Sequence, residues 1–168
     1  MIWTIPIAIK TNPEMPETDS SPPVFDPASA GSLQLQLIEP ERLALVDRFY
    51  RSNGYKVKCG ASERVYAMAE DDFIAAARLV PQSSGDFWLR NLLVASDWRG
   101  RGVASRLMSE LLPDLAPQGC YCFALPHLTD FYARLGFTQN PAHCPDDIAR
   151  TWQTYRNRGR DWVLMGYR

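Results

Sequence analysis

Leu33, Leu35 and Leu37 alternate with Gln34 and Gln36, the period-two pattern of a strand with one buried face. Glu39-Pro40-Glu41 then opens a helix with proline in its first turn. Leu43, Val46, Phe49 and Tyr50 form its apolar face, and Asn53-Gly54 closes it as a C-cap. Residues 56–61 fit either a loop or a short second helix. Stretches 64–69 and 73–80 read as two strands of a hairpin around Glu70-Asp71-Asp72, although the alanines at 75–77 also favour helix. A strand over 86–94 ends in the apolar run Leu92-Leu93-Val94. A helix running from Gly102 to near Pro113 places Val103, Leu107 and Leu111 on one face. Then come a strand over 119–125, a short helix over 131–135 closed by Gly136, and a strand starting at Phe137. A helix over 145–158 begins with Asp146-Asp147 and ends with Arg156 and Arg158, charges that match its dipole. Its Ile148, Trp152 and Tyr155 share a face, and residues 161–167 form the closing strand.

Ahead of this pattern, residues 1–32 are interrupted by Pro6, Pro13, Pro16, Pro22, Pro23 and Pro27. Such a segment buries too little apolar surface to offset its ordering entropy, so we expect a Pro-rich, mobile N-terminal arm followed by one domain at 33–168. Trp3, Ile5, Ile7 and Ile9 alternate and also fit a short added strand.

The chain has 168 residues, 46% hydrophobic and 22% charged, which suits one globular domain with a real core. A net charge of −1 gives no electrostatic basis for binding nucleic acid or an anionic membrane, and no apolar run reaches membrane-helix length. The start, Met1-Ile2-Trp3-Thr4-Ile5-Pro6-Ile7, lacks the basic and small-residue features of a signal peptide, so we expect a cytoplasmic protein. Cys59, Cys120, Cys122 and Cys144 show no disulfide-scaffold spacing and read as reduced thiols. We expect Cys120 and Cys122 to project to opposite faces of their strand, and we expect no metal site.

The chemistry concentrates in Asn91 to Met108, where a strand passes through a Gly- and Arg-rich loop into a helix. Such a loop aims unpaired backbone N–H groups and the positive end of the helix dipole at one spot, which is an anion site. A P-loop needs Lys and then Ser or Thr after its second glycine, where this chain has Val103 and Ala104. A dinucleotide fingerprint needs a glycine or alanine where Ser105 stands.

Arg99-Gly100-Arg101-Gly102-Val103-Ala104 instead follows Arg-x-x-Gly-x-Ala and resembles the pyrophosphate loop of the GCN5-related N-acetyltransferases, the GNAT family. A second segment, Phe131-Tyr132-Ala133-Arg134-Leu135-Gly136-Phe137, resembles that family's Phe-Tyr-x-x-Leu-Gly-Phe, and lies in the expected order behind the first. The resemblance covers roughly Leu33 to Arg168 and implies an α/β (α+β) fold: a mixed, mostly antiparallel central sheet flanked by helices and splayed at the central strand. The helix over 145–158 is an insertion relative to the shortest members.

By resemblance, the chain is an acetyl-CoA-dependent N-acetyltransferase acting on the primary amine of a small-molecule or amino-acid-like acceptor by direct attack in a ternary complex. The first helix then helps line the acceptor site. Cofactor contacts fall to the backbone of Leu92, Leu93 and Val94, with Leu92 or Leu93 polarising the thioester carbonyl, and to Arg99, Gly100, Arg101, Gly102, Val103, Ala104 and Ser105 at the pyrophosphate. Tyr132 matches the tyrosine that many members place beside the cofactor sulfur, where a phenol protonated at neutral pH serves as general acid. Leu125 stands where some members carry an asparagine. The base stays open. The central strand offers Trp88, Arg90 and Asn91, with Asp86 at its start; Glu70, Asp71 and Asp72 read as solvated turn charges; His127 reads as an exposed loop residue; a water chain serves equally. Two alternatives remain: a CoA-thioester sensor or non-catalytic module, and a protein or peptide N-acetyltransferase. A homodimer also stays open.

Overall fold

A computed structural model describes residues 33–168; the N-terminal arm and its alternating Trp3–Ile9 segment lie outside the described residues. The elements run β1 (Gln34–Leu37), α1 (Leu43–Ser52), β2 (Arg64–Ala69), β3 (Phe73–Pro81), β4 (Phe87–Val94), α2 (Val103–Leu111), β5 (Cys120–Ala124), α3 (Thr129–Arg134), β6 (Thr138–Gln139), α4 (Asp146–Asn157) and β7 (Val163–Tyr167). They build one mixed sheet ordered β1-β2-β3-β4-β5-β7-β6. Every neighbouring pair is antiparallel except β4 and β5, which run parallel.

Strand alternation sorts the core into layers. On one face Tyr66, Met68, Ala75, Ala77, Leu89, Leu92 and Val94 meet Val103, Leu107, Met108 and Leu111 of α2 and Tyr132 of α3. On the other, Val65, Ala67, Ala76 and Leu93 meet Leu43, Val46, Phe49 and Tyr50 of α1. Farther along that second face, Tyr121, Phe123 and Leu164 meet Ile148 of α4. The alanines at 75–77 are strand because both of their faces are covered by helices, and a small side chain lets a helix approach closely; packing overrides propensity here.

Several boundaries differ from the sequence pattern. Residues 56–61 form no helix, and Cys59 N–H there donates to Asp47 Oδ1 of α1 at 2.8 Å. The short helix starts earlier, with a 3-10 turn at Pro126–Leu128 that runs into α3. Phe137 precedes its strand and serves as core, its ring centroid 5.4 Å from that of Tyr132. Cys120 and Cys122 share one face rather than two, because side chains two apart on a strand point the same way. Burial pushes the thiols of both far above the ordinary range, so they behave as small apolar packing groups. Among the described residues no cluster of three metal-ligating side chains occurs, and no helix is long and apolar enough to cross a membrane.

Leu107 is fully buried between α2 and the sheet. Leu107→Ala should cost about 2–5 kcal/mol, seen as a lower urea midpoint at unchanged m-value. Leu37→Ala, at a side chain left 53% exposed, should shift the midpoint by less than about 0.5 kcal/mol equivalent.

Candidate active site

The site begins where β4 and β5 stop pairing. Their register covers only Phe87↔Cys120 and Trp88↔Tyr121. That end is stapled by Asp86, whose carboxylate accepts the Gly119 N–H at 2.7 Å and the Ser84 hydroxyl at 2.9 Å, while Phe87 N–H donates to Gly119 O at 2.8 Å. Asp86 is therefore committed to closing the strands and is not available as a base. Past Trp88 the strands part.

A bulge in β4 enforces the parting. The pairing of β3 with β4 slips between Arg78↔Arg90 and Ala76↔Leu93, and Asn91 takes up the extra residue at φ 52°. Asparagine tolerates this left-handed conformation better than most residues do. Buried bonds pin it: Asn91 Oδ1 accepts from Arg78 Nη1 at 2.8 Å, and its carbonyl accepts from the Tyr50 hydroxyl at 2.7 Å. Arg78 in turn donates Nε and Nη2 to the two oxygens of Glu63 at 2.7 and 2.6 Å. Sequence reasoning missed Tyr50, Glu63, Arg78 and Asn91 as a unit, although the signal was present. Phe87 and Leu89 point to the α2 face, then Leu92 and Val94 do, and this change of phase at Arg90-Asn91 marks an inserted residue.

Downstream of the bulge, Ala95 N–H donates to Ile74 O at 2.8 Å. Backbone groups alternate sides along a strand, so Leu93 also faces β3, while Leu92 and Val94 direct theirs into the gap left by β5. Leu93 is thus turned away from the position expected of it, its side chain packed under α1. The Val94 carbonyl accepts from Arg99 Nε at 3.1 Å, so Arg99 folds back and ties the loop to the strand.

Gly100 and Gly102 both sit at φ 73°, and a Cβ at either would meet nothing within 4 Å. Gly102 caps α2, whose first turn carries no acidic side chain. The N–H groups of Val103, Ala104 and Ser105 have no acceptor within the helix and point toward this open space. Ser105 is exposed and Ala104 half-buried; Val103 anchors the turn with a buried side chain. Arg101 stacks on Trp98 at 5.1 Å and stays exposed beside Gly102. The loop therefore has the room, the donors and the charge that a diphosphate requires.

Tyr132 is fully buried on the same face of the sheet as Leu92, Val94 and α2, its ring edge-on to Phe131 and Phe137 at 4.9 and 5.4 Å. Its hydroxyl finds no hydrogen-bond partner among the described residues. A buried hydroxyl without a partner is costly, and a thioester sulfur beside it would remove that cost. Burial, and then the Cys122 and Cys120 thiols, push its pKa well above 10. His127, Glu70, Asp71 and Asp72 are exposed.

The comparisons fit this geometry. A family model for the acetyltransferase (GNAT) domain matches residues 61–139. No curated protein matches the chain in sequence. Among solved structures, Escherichia coli ElaA is similar at 17% identity and TM-score 0.58, over 82% of this chain and 100% of that one. Neisseria gonorrhoeae N-acetylglutamate synthase, complexed with coenzyme A and N-acetyl-glutamate, is similar at 14% identity and TM-score 0.58, over 82% of this chain but 35% of that one. Arabidopsis thaliana Naa50, in complex with the bisubstrate analogue CoA-Ac-MVNAL, is similar at 15% identity and TM-score 0.55, over 82% of this chain and 99% of that one.

Two predictions come from this geometry. Gly102→Asp should fold, since aspartate tolerates the left-handed region, yet it sets a carboxylate at the anion site; calorimetry should show coenzyme A affinity lower by about tenfold or more. Tyr50 and Tyr132 both have phenol pKa values raised well above 10, by burial first. Their stabilising effect is complete below about pH 10 and is lost as pH climbs toward the folded-state values, because only the unfolded chain ionises there. The buried thiols of Cys120 and Cys122 act the same way from about pH 8.5, where unfolded thiols ionise, so the urea midpoint should begin to fall there and fall more steeply above about pH 10, the second fall being less steep in Tyr50→Phe.

The parted strands, the glycine-capped helix and the matching domain model together show an acetyltransferase (GNAT) domain at residues 61–139 of this chain.

Proposed function

We propose that this chain transfers the acetyl group of acetyl-CoA to the primary amine of a small-molecule or amino-acid-like acceptor, by direct attack in a ternary complex. The observation that carries this reading is the Tyr132 hydroxyl, buried and unpartnered on the sheet face that also presents Leu92, Val94 and the start of α2. A module that only bound the cofactor would gain nothing from keeping such a group dry.

The backbone N–H groups of Val103, Ala104 and Ser105 would hold the diphosphate, with Arg101 adding charge. The backbone of Leu92 and Val94 would pair with the pantetheine arm as a missing strand would, and one of their N–H groups would polarise the acyl carbonyl. When bound, acetyl-CoA supplies the activated acyl carbon. The amine nitrogen bonds to that carbon as the carbon–sulfur bond breaks. Tyr132 gives its proton to the departing sulfur and regains one from solvent. The proton lost by nitrogen goes to water, because the half-buried Glu63 has both oxygens on Arg78 and the buried Asp86 is committed to Gly119 and Ser84.

The test is thiol release from acetyl-CoA with a panel of amines, amino acids and peptides. Release that depends on a small amine is the expected result; coenzyme A binding without release would leave a sensor. Tyr132→Phe should lower kcat by about tenfold or more while the KM for acetyl-CoA changes by less than about threefold. Wild-type turnover in that variant would remove Tyr132 from the chemistry.

A further inference from the structure

Resting on the acetyl-transfer reading, we infer that Tyr50 is a positioning residue: its hydroxyl, bonded to the Asn91 carbonyl from behind the strand, aims the Leu92 N–H at the acyl carbonyl of the bound thioester. Tyr50 lies on α1, against the sheet face opposite α2 and Tyr132. It therefore acts through the backbone and does not reach the cofactor itself.

The bulge creates the need. Between the rungs Ala76↔Leu93 and Arg78↔Arg90, β3 has one residue, Ala77, and β4 has two. Asn91 and Leu92 thus fall outside the regular repeat of that ladder, and the pairing with β5 has already stopped at Trp88. In an unbroken ladder the neighbouring strand sets the tilt of each peptide. At the peptide joining Asn91 to Leu92, α1 supplies a restraint instead. The Tyr50 hydroxyl donates to the Asn91 carbonyl at 2.7 Å, and the side chain is fully buried in the cluster that seats α1 on the sheet. Burial also raises the Tyr50 pKa, so the phenol remains a donor at any ordinary pH.

Covalent geometry carries the effect across the strand. The Asn91 carbonyl and the Leu92 N–H belong to one planar trans peptide, so they point in opposite directions. Fixing the oxygen toward α1 turns the N–H away from α1. Backbone alternation gives the same direction independently: Ala95 N–H donates to Ile74 O, so Leu93 faces β3 and Leu92 faces the gap left by β5. A donor stabilises developing charge only when it is already aimed at the place where that charge appears. Arg78 holds the Asn91 side chain through Oδ1, whereas Tyr50 holds the peptide that carries the donor. A phenylalanine would fill the same space between α1 and the sheet and leave that peptide without its restraint.

The experiment records the infrared carbonyl stretch of acetyl-CoA, isotope-labelled at that carbonyl and bound to the full chain, for wild type, Tyr50→Phe and Val46→Ala. No acceptor is needed. Val46 is a fully buried neighbour on α1, so Val46→Ala loosens the packing of α1 and keeps the Tyr50 hydroxyl. Wild type should move the stretch to lower frequency than in free acetyl-CoA. Tyr50→Phe should lose most of that shift, with coenzyme A affinity by calorimetry changed by less than about threefold, and Val46→Ala should keep the shift. With an amine that wild type accepts, Tyr50→Phe should lower kcat by about tenfold or more while the KM for acetyl-CoA changes by less than about threefold. No shift in wild type, a shift or a kcat retained in full by Tyr50→Phe, an equal loss of shift in Val46→Ala, or failure of wild type to bind acetyl-CoA would overturn the inference. A Tyr50-dependent shift without acetyl transfer to any amine would overturn the catalytic reading and leave Tyr50 as the residue that orients the Leu92 N–H on a bound thioester.

Discussion

β4 shares only two rungs with β5, and the rest of the site depends on how abruptly that pairing stops. A parallel pair left alone would continue and bury its backbone groups in a ladder. Here one end is held shut by the Asp86 carboxylate on the Gly119 amide, and the other is bent away by an extra residue at Asn91. The outcome is a stretch of β4 in which the backbone groups of Leu92 and Val94 face a gap while those of Leu93 pair with β3. A pantetheine arm needs that combination: donors and acceptors fixed by the sheet but not consumed by it.

The bulge has a cost that other elements offset. Asn91 occupies a left-handed conformation in the middle of a buried strand, and its carbonyl and side-chain amide would be stranded without partners. Tyr50 reaches from α1 to the carbonyl, and Arg78 reaches from β3 to the amide oxygen. Arg78 is itself buried and is made tolerable by both oxygens of Glu63. The parting of the strands is thus set by a polar chain on the α1 side, while the glycine-capped helix and the buried Tyr132 lie on the α2 side.

Tyr132 shows the limit of reading residues one at a time. The sequence marks it by the segment Phe131–Phe137, but its solvent-free, unpartnered hydroxyl depends on Phe131, Phe137 and Cys122 closing around it. Arg99 shows the same limit in the other direction. Its position in the loop suggests a phosphate contact, whereas its side chain bonds the Val94 carbonyl and fixes the loop on the strand.

The elements and their order were legible in the sequence, because alternation, helical periodicity and the glycines at 54, 102 and 136 are local signals whose physics acts over a few residues. The glycine-capped turn into α2 was legible for the same reason: its glycines and the first helical turn all lie within Arg99–Ser105. The tertiary structure decided what local signals do not carry. It turned Leu93 toward β3 and Leu92 and Val94 into the gap, made strand of an alanine run by covering both its faces, and brought Tyr50, Glu63, Arg78 and Asn91 into one buried chain. Those residues come from four separate segments, and the need to satisfy each other's hydrogen bonds arises only once the sheet has excluded water from all of them.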